Sequence, residues 1–375
     1  MKLKKILIVS NFFAPENTPR AFRVTSLVDR LAGRGVEVTL VLPNKEVYHS
    51  SGYSNKNVNI VYAKGPVEKV EVTLVRKTSG GFLPNWLREA ILFFVSHEYF
   101  IKYNKGIERA LADLDDSYDL VLSVSYPVAI HRAVAKMVRK NKNLKYKVLA
   151  AEFSDPPFRN EYWRAIFFFY KNVMRSWGRL FDYFVIPVEV ALSGYAPYKS
   201  AEQIKIIPQG FDLNDFEHRE YKKNPVPTFA YAGRFYEKIR DPEFLFEYLC
   251  SIKEDFRFEL YVNVADARFD AMMDKYSRLS GGRIVRCLPL PRKKLISHLS
   301  TVDFLVNIEY ELNDVSPMKL IDYGMAARPV VSIVQSDFDT QKLDAFISGD
   351  YSKAKTIDMS PYNIDRVVEQ FDSLL

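Results

Sequence analysis

Two carboxylates eight residues apart, Asp314 and Asp322, bracket the run Ser316-Pro317-Met318-Lys319, and these residue types at this spacing fit a definite chemistry. Serine followed by proline marks a helix start. The hydroxyl caps free amides, and proline suits the first helical position because its fixed φ fits that turn and its missing N–H would have been unpaired there anyway. The amides of Met318 and Lys319 then point outward with the positive end of the helix dipole, making a seat for a phosphate or diphosphate to which Lys319 adds a full charge. Asp322 lies about 9 Å along the axis from Ser316, at roughly 1.5 Å per residue. That is too far for the phosphate and suits the sugar side of a nucleotide. An ordinary amphipathic helix carrying a solvated acid would use the same residues. Gly324 weakens this helix, and Arg328-Pro329 closes it before the apolar run at 330–334, which reads as a buried strand.

The elements that must position this stretch are α/β in pattern. A strand at 4–10, a Pro-containing loop from Asn11 to Pro19, a helix over 20–34 stopped by Gly35, and a strand at 36–42 make a βαβ unit, the start of a parallel doubly wound sheet. Its first loop has no glycine, which excludes a nicotinamide-type dinucleotide site there. Short strands are expected within 57–76, and further strands at 119–125, 146–151 and 183–187, with a helix over 128–140 that carries His131 on its surface or in a cleft. Asp155 follows the second of these strands, 146–151, at a carboxyl edge, where open α/β sheets bind ligands. The pattern then restarts: an extended piece at 205–208, the turn Gln209-Gly210-Phe211-Asp212, a strand at 228–233 ending in Gly233-Arg234 with Lys238 downstream, strand and helix units at 257–279 and 283–300, and a strand at 303–308. We therefore divide the chain into 1–195, 196–355 and a C-terminal helix, 356–375, returning to the first domain.

Composition bounds the rest. With 375 residues, 26% charged and 48% hydrophobic, the sequence describes a folded two-domain protein and not a disordered one. Net charge +7 favours an acidic partner such as a nucleotide diphosphate or an anionic lipid; dispersed basic residues and no recognised module argue against nucleic acid. Two cysteines, Cys250 and Cys287, argue against a disulfide framework and for a reducing compartment. No apolar run reaches 18 residues, so no membrane span is expected. Two stretches, 82–104 and 158–180, mix aromatics with arginine and lysine, as a helix lying in a membrane interface would, or a core helix with snorkelling cations. Asp113-Leu114-Asp115-Asp116 looks like a metal-binding Asp-x-Asp, but it precedes a strand instead of ending one and reads as a solvated turn; the histidines show no zinc spacing.

The two doubly wound halves, the Gly233-Arg234 turn with Lys238, the Ile207-Pro208-Gln209-Gly210-Phe211-Asp212 turn and the acid pair around a Ser-Pro-x-Lys helix start together resemble glycosyltransferase family 4 over nearly the whole length. The resemblance implies a GT-B architecture, two Rossmann-like domains facing across a cleft. It implies that Asp314 and Asp322 occupy the family's Glu-x7-Glu signature, Asp314 contacting the donor sugar and Asp322 the ribose. Arg234 and Lys238 would be the basic pair on the donor diphosphate, and Gly233, Ser316, Pro317, Met318 and Lys319 would complete that site. The acceptor would lie against the first domain near Asn11, Arg20, Pro127 and Asp155. The implied reaction is transfer of a sugar from a nucleotide diphosphate sugar to a glycan or lipid-linked acceptor, with retention. It needs no metal or other cofactor, because a helix N-terminus, an arginine and a lysine stabilise the leaving diphosphate electrostatically. The setting would be surface-polysaccharide or glycolipid assembly in the cytoplasm, at the inner face of the membrane if the two aromatic stretches lie on it.

The departures are specific. Both signature acids are aspartates, the first loop lacks the family's glycine pair, and Ser154 precedes Asp155 where histidine is common. A sugar-nucleotide epimerase of the same plan and a non-catalytic assembly partner are the alternative functions.

Overall fold

The computed structural model describes residues 1–68, 104–125, 128–153, 174–213, 215–217, 219–235, 241–262, 267–309 and 318–375. The chain forms two compact units, Met1–Phe211 with Pro361–Leu375, and Asp212–Ser360.

The first unit is built on a seven-stranded sheet of β1 (Lys5–Ser10), β2 (Glu37–Leu42), β3 (Val58–Tyr62), β4 (Ser117–Val124), β5 (Lys145–Glu152), β6 (Tyr183–Ile186) and β7 (Ile204–Ile206), in the order β3-β2-β1-β4-β5-β6-β7. Every pairing is parallel. Strands such as Ile6-Leu7-Ile8-Val9 are apolar without alternation because helices cover both faces. One face is covered by α1 (Pro19–Gly33), whose Val24, Leu27, Val28 and Leu31 pack with Val367, Val368 and Phe371 of the C-terminal helix. The other face is covered by α2 (Ala129–Lys140) through Ile130, Val134 and Val138, together with Trp177 and Phe181. Each such aliphatic side chain, fully buried, stabilises by about 1.5–3 kcal/mol.

Local signals explain the ends of α1. Thr18 accepts a hydrogen bond from the Ala21 amide and Pro19 opens the helix, while Gly35, at φ +81°, takes the left-handed conformation that stops it. The C-terminal segment joins this unit at Gly210-Phe211: the Phe211 amide donates to the Tyr362 carbonyl at 2.8 Å and the Ile364 amide donates back to Phe211 at 3.0 Å. A side chain at Gly210 would put its Cβ 2.5 Å from Ile364 Cδ1, so glycine is required for this approach. Arg30 and Arg34 both pair with Asp365 across the same seam.

The second unit carries a five-stranded parallel sheet of β8 (Thr228–Gly233), β9 (Arg257–Val262), β10 (Ile284–Arg286), β11 (Phe304–Ile308) and β12 (Val330–Ile333), in the order β10-β9-β8-β11-β12. The helices α3 (Glu243–Ser251), α4 (Ala267–Leu279), α5 (Arg292–Leu299), α6 (Met318–Ala326) and α7 (Thr340–Ser348) alternate with the strands, and α8 (Ile364–Asp372) is the C-terminal helix described above. Three rings in register, Phe304, Phe229 and Phe258, stack across β11, β8 and β9 at 4.5 and 4.8 Å. Among the described residues the phenylalanines lie largely in the sheet cores.

Two sequence expectations meet a different arrangement. Residues 204–206, placed after the domain boundary by sequence, pair with β6 and extend the first sheet. His131, expected on a helix surface or in a cleft, is fully buried: its Nδ1 lies 2.8 Å from Ser123 Oγ and its ring sits against Phe153 and Trp177. Apolar packing on that face outweighed the polarity of the imidazole, and burial pushes its pKa down to about 3. Trp177, from the second aromatic stretch, is likewise a core residue; most of 82–104 and of 158–180 lies outside the described residues.

Candidate functional site

Both strand orders reverse direction at one place, between β1 and β4 in the first sheet and between β8 and β11 in the second. Open α/β sheets bind ligands outside the carboxyl ends of the strands at such a switch point.

In the second unit β8 and β11 pair only through Phe229 with Phe304 and Ala230 with Leu305, and beyond that register the strands separate. Tyr323 of α6 closes the gap. The Ala232 amide donates to its hydroxyl at 2.9 Å, and the hydroxyl donates to the Val306 carbonyl at 3.0 Å, so a phenol replaces a ladder bond between the two strands. The N-terminus of α6 is thereby anchored over the switch point. Gly324 lets the helix seat closely, since a Cβ there would fall 2.2 Å from Met359 Sδ.

Lys319, one turn before Tyr323, is buried and donates from Nζ to the Ile308 carbonyl at 3.1 Å, with its ammonium 4.7 Å from the Tyr231 ring centroid. Tyr231 in turn donates to the Arg234 carbonyl at 3.1 Å and stacks on Phe235 at 4.4 Å. Gly233 between them has φ +154° and would bring a Cβ within 3.2 Å of the Tyr231 hydroxyl. One connected set of contacts therefore joins the Gly233-Arg234 turn to the first turn of α6, and brings together Gly233, Arg234, Met318 and Lys319. The cationic ammonium, the exposed Arg234 and the positive end of the α6 dipole share one strand edge. Lys319 is also part of the frame, because its ammonium holds the end of β11.

Asp322 faces α5. Arg292 places Nε at 2.9 Å and Nη2 at 2.5 Å from the same oxygen, Oδ1. Burial pushes the Asp322 carboxyl up and the Arg292 guanidinium pulls it back. Asp314, Lys238, Ser316 and Pro317 lie outside the described residues, as do Pro127 and Asp155 of the acceptor set.

At the switch point of the first sheet, Ser10, Val124 and Glu152 stand in register across β1, β4 and β5. Asn11 follows β1 and is buried, and neither its Nδ2 nor its Oδ1 has a hydrogen-bond partner among the described residues. Arg20 crosses from α1 to donate to the Ser125 carbonyl at 3.0 Å. Glu152, 3% exposed, is held at Oε1 by Arg23, which also donates to the Ile207 carbonyl at 3.0 Å, while Oε2 is buried without a partner among the described residues. A buried polar atom left unpaired costs about 1–3 kcal/mol, so three of them at one strand edge set this place apart from the rest of the described sheet.

Sequence reasoning missed Arg292, Tyr323, Arg23 and Glu152. Tyr323 had a signal, since it lies four residues after Lys319 and therefore on the same helix face. Glu152 ends a buried strand and had one too. Arg292 and Arg23 had none, because their partners are distant in sequence.

No protein-family model matches the sequence, and no curated protein matches it at the level of sequence. Solved structures do match by fold. A glycosyltransferase from Rickettsia africae ESF-5 is 12% identical at a TM-score of 0.59, covering 100% of this chain and 98% of its own. Anabaena Alr3699/HepE in complex with UDP-glucose is 11% identical at 0.55, covering 99% and 98%. The N-terminal domain of Candida albicans trehalose-6-phosphate phosphatase is 10% identical at 0.64, covering 100% and 98%. Whole-length agreement with such structures, added to the two Rossmann-ordered sheets, decides the architecture. The fold is GT-B. Within a GT-B chain the switch point of the second sheet, where α6 begins, is the place whose helix terminus and cations suit an anionic ligand, and that of the first sheet offers uncharged polar and carboxylate groups.

Proposed function

We propose that this protein is a retaining glycosyltransferase of the family 4 type, moving a sugar from a nucleotide diphosphate sugar to a glycan or lipid-linked acceptor without a metal. The single observation that carries this reading is the contact set joining the Gly233-Arg234 turn to the first turn of α6 through Tyr231 and Lys319 at one switch point. The fold likeness to a structure solved with UDP-glucose supports the donor class.

In the proposed reaction the bond from the anomeric carbon to the diphosphate breaks as the acceptor oxygen bonds to that carbon on the same face. Arg234, Lys238 and the α6 amides take up the charge developing on the diphosphate, which accepts the acceptor proton. Fixed charges suffice for this leaving group, so no metal is needed. Asp314 would orient the donor sugar and Asp322 the ribose. The unpaired groups of Asn11 and Glu152 would receive acceptor hydroxyls, with Arg20 nearby and Pro127 and Asp155 completing the acceptor side.

The test is donor-dependent transfer by wild type, Arg234→Ala and Asp314→Ala over a panel of nucleotide sugars and acceptors. Removing one stabilising group at the leaving diphosphate should lower kcat by about 100-fold or more. Equal background rates in all three would overturn the catalytic reading and favour a non-catalytic GT-B protein. The two aspartates in place of the family's glutamates, and Ser154 where histidine is common, keep that second reading in play. A cytoplasmic location, with attachment at the inner face of the membrane and a role in surface-polysaccharide or glycolipid assembly, extends the proposal. Among the described residues no helix is long and apolar enough to cross a membrane. Flotation on anionic liposomes at low salt should carry the protein upward; recovery wholly in the unbound fraction would remove the membrane part.

A further inference from the structure

Arginine ordinarily meets a carboxylate as a fork, one N–H group to each oxygen. Arg292 does something else with Asp322: Nε and Nη2 converge on Oδ1, and Oδ2 has no hydrogen-bond partner among the described residues. The pair is not a loose surface contact. Both side chains are about one-fifth exposed, and Nη2 of Arg292 also lies 3.6 Å from Met325 Sδ, one turn along α6. Arg292 is the first residue of α5 and stands directly after Pro291, so its backbone is fixed by the helix start. The carboxylate is thus clamped by one oxygen from the start of α5, and its other oxygen is left without a partner among the described residues.

Resting on the proposed function, we infer that Arg292 is a positioning residue for the nucleoside end of the donor: it fixes Asp322 so that Oδ2 receives ribose hydroxyls. Asp322 stands on the same helix as Lys319, whose ammonium is tied to the Gly233-Arg234 edge, so ribose and diphosphate contacts are set at a fixed spacing along α6. An aspartate is one methylene shorter than a glutamate and has less reach. A clamp on one oxygen offsets that by holding the carboxylate in one orientation. The cation also opposes the upward push that burial gives the carboxyl.

The experiment measures dissociation constants by titration calorimetry for whichever of UDP, GDP, ADP or CDP raises the Tm of wild type most, and for its 2′,3′-dideoxy counterpart. It compares wild type, Arg292→Ala, Arg292→Lys and Asp322→Asn, with inorganic pyrophosphate as the control ligand. Wild type should prefer the ribonucleotide about tenfold or more, the size expected for a hydrogen bond to a charged group. Arg292→Ala should bring that preference to within about threefold while leaving pyrophosphate affinity unchanged. Lysine, with one nitrogen in place of two, should recover only part of it. The pH dependence separates positioning from mere packing: in Arg292→Ala, ribose preference should be lost at a higher pH than in wild type as the solution is acidified, because the carboxyl has lost its cation. Full ribose preference in Arg292→Ala, or in Arg292→Lys should the alanine variant not fold, would overturn the inference and leave the proposed function standing. Binding of none of the four nucleotides by wild type would instead remove the proposed function, and the inference with it.

Discussion

His131 is the residue at which structure and sequence part most clearly, and it carries a measurable consequence. Its pKa is held near 3 by burial, against an ordinary 6.5, so below pH 6.5 the unfolded chain takes up a proton that the folded chain refuses. Stability from this group is therefore full above pH 6.5 and falls as the pH drops toward 3, by about 1.4 kcal/mol per pH unit across most of that window. Urea unfolding of wild type and His131→Phe between pH 6.5 and 4.5 should show that slope in wild type and its loss in the variant. Identical slopes would mean that the imidazole is solvated. A histidine in a helical run beside alanines and valines gives no sign in sequence of which face it takes. Its burial depends on Phe153, Trp177 and Phe181 closing round it from other elements.

At the scale of elements, the strands were legible because a parallel sheet covered on both faces leaves unbroken apolar runs, as in β1 and β11. The helix of α6 was legible as far as it is described, Met318–Ala326, ending just before Arg328-Pro329. What sequence could not supply was the fastening of α6, because that depends on where β8 and β11 separate. Tyr323 provides it, and Tyr323→Phe should leave the Ala232 amide and the Val306 carbonyl without their partner. We expect a loss of about 1–3 kcal/mol in unfolding free energy, together with weaker binding of the diphosphate-bearing ligand, measured by chemical denaturation and by titration. Unchanged stability would show that the phenol is not a substitute ladder bond. The extended piece at 204–206 failed for a related reason: three residues are too few to reveal which sheet they join, and its pairing with β6 is a long-range fact.

At the scale of the whole molecule, most of the aromatic side chains among the described residues are buried, and polar groups gather at the strand edges where each order reverses. The first unit's edge carries Asn11, Arg20, Arg23 and Glu152, and the second unit's carries Gly233, Arg234, Lys319 and Asp322. The two edges were not equally visible in sequence. The second unit's edge has local signatures along one helix, whereas the first unit's is assembled from strand ends far apart in the chain. Hydrogen exchange with mass spectrometry, with and without a saturating nucleotide diphosphate sugar that raises the Tm, tests the central claim most directly. Protection should rise in the peptides covering 228–235 and 318–326, and far less over 340–348. Unchanged exchange at both of those segments under saturating ligand would contradict the account.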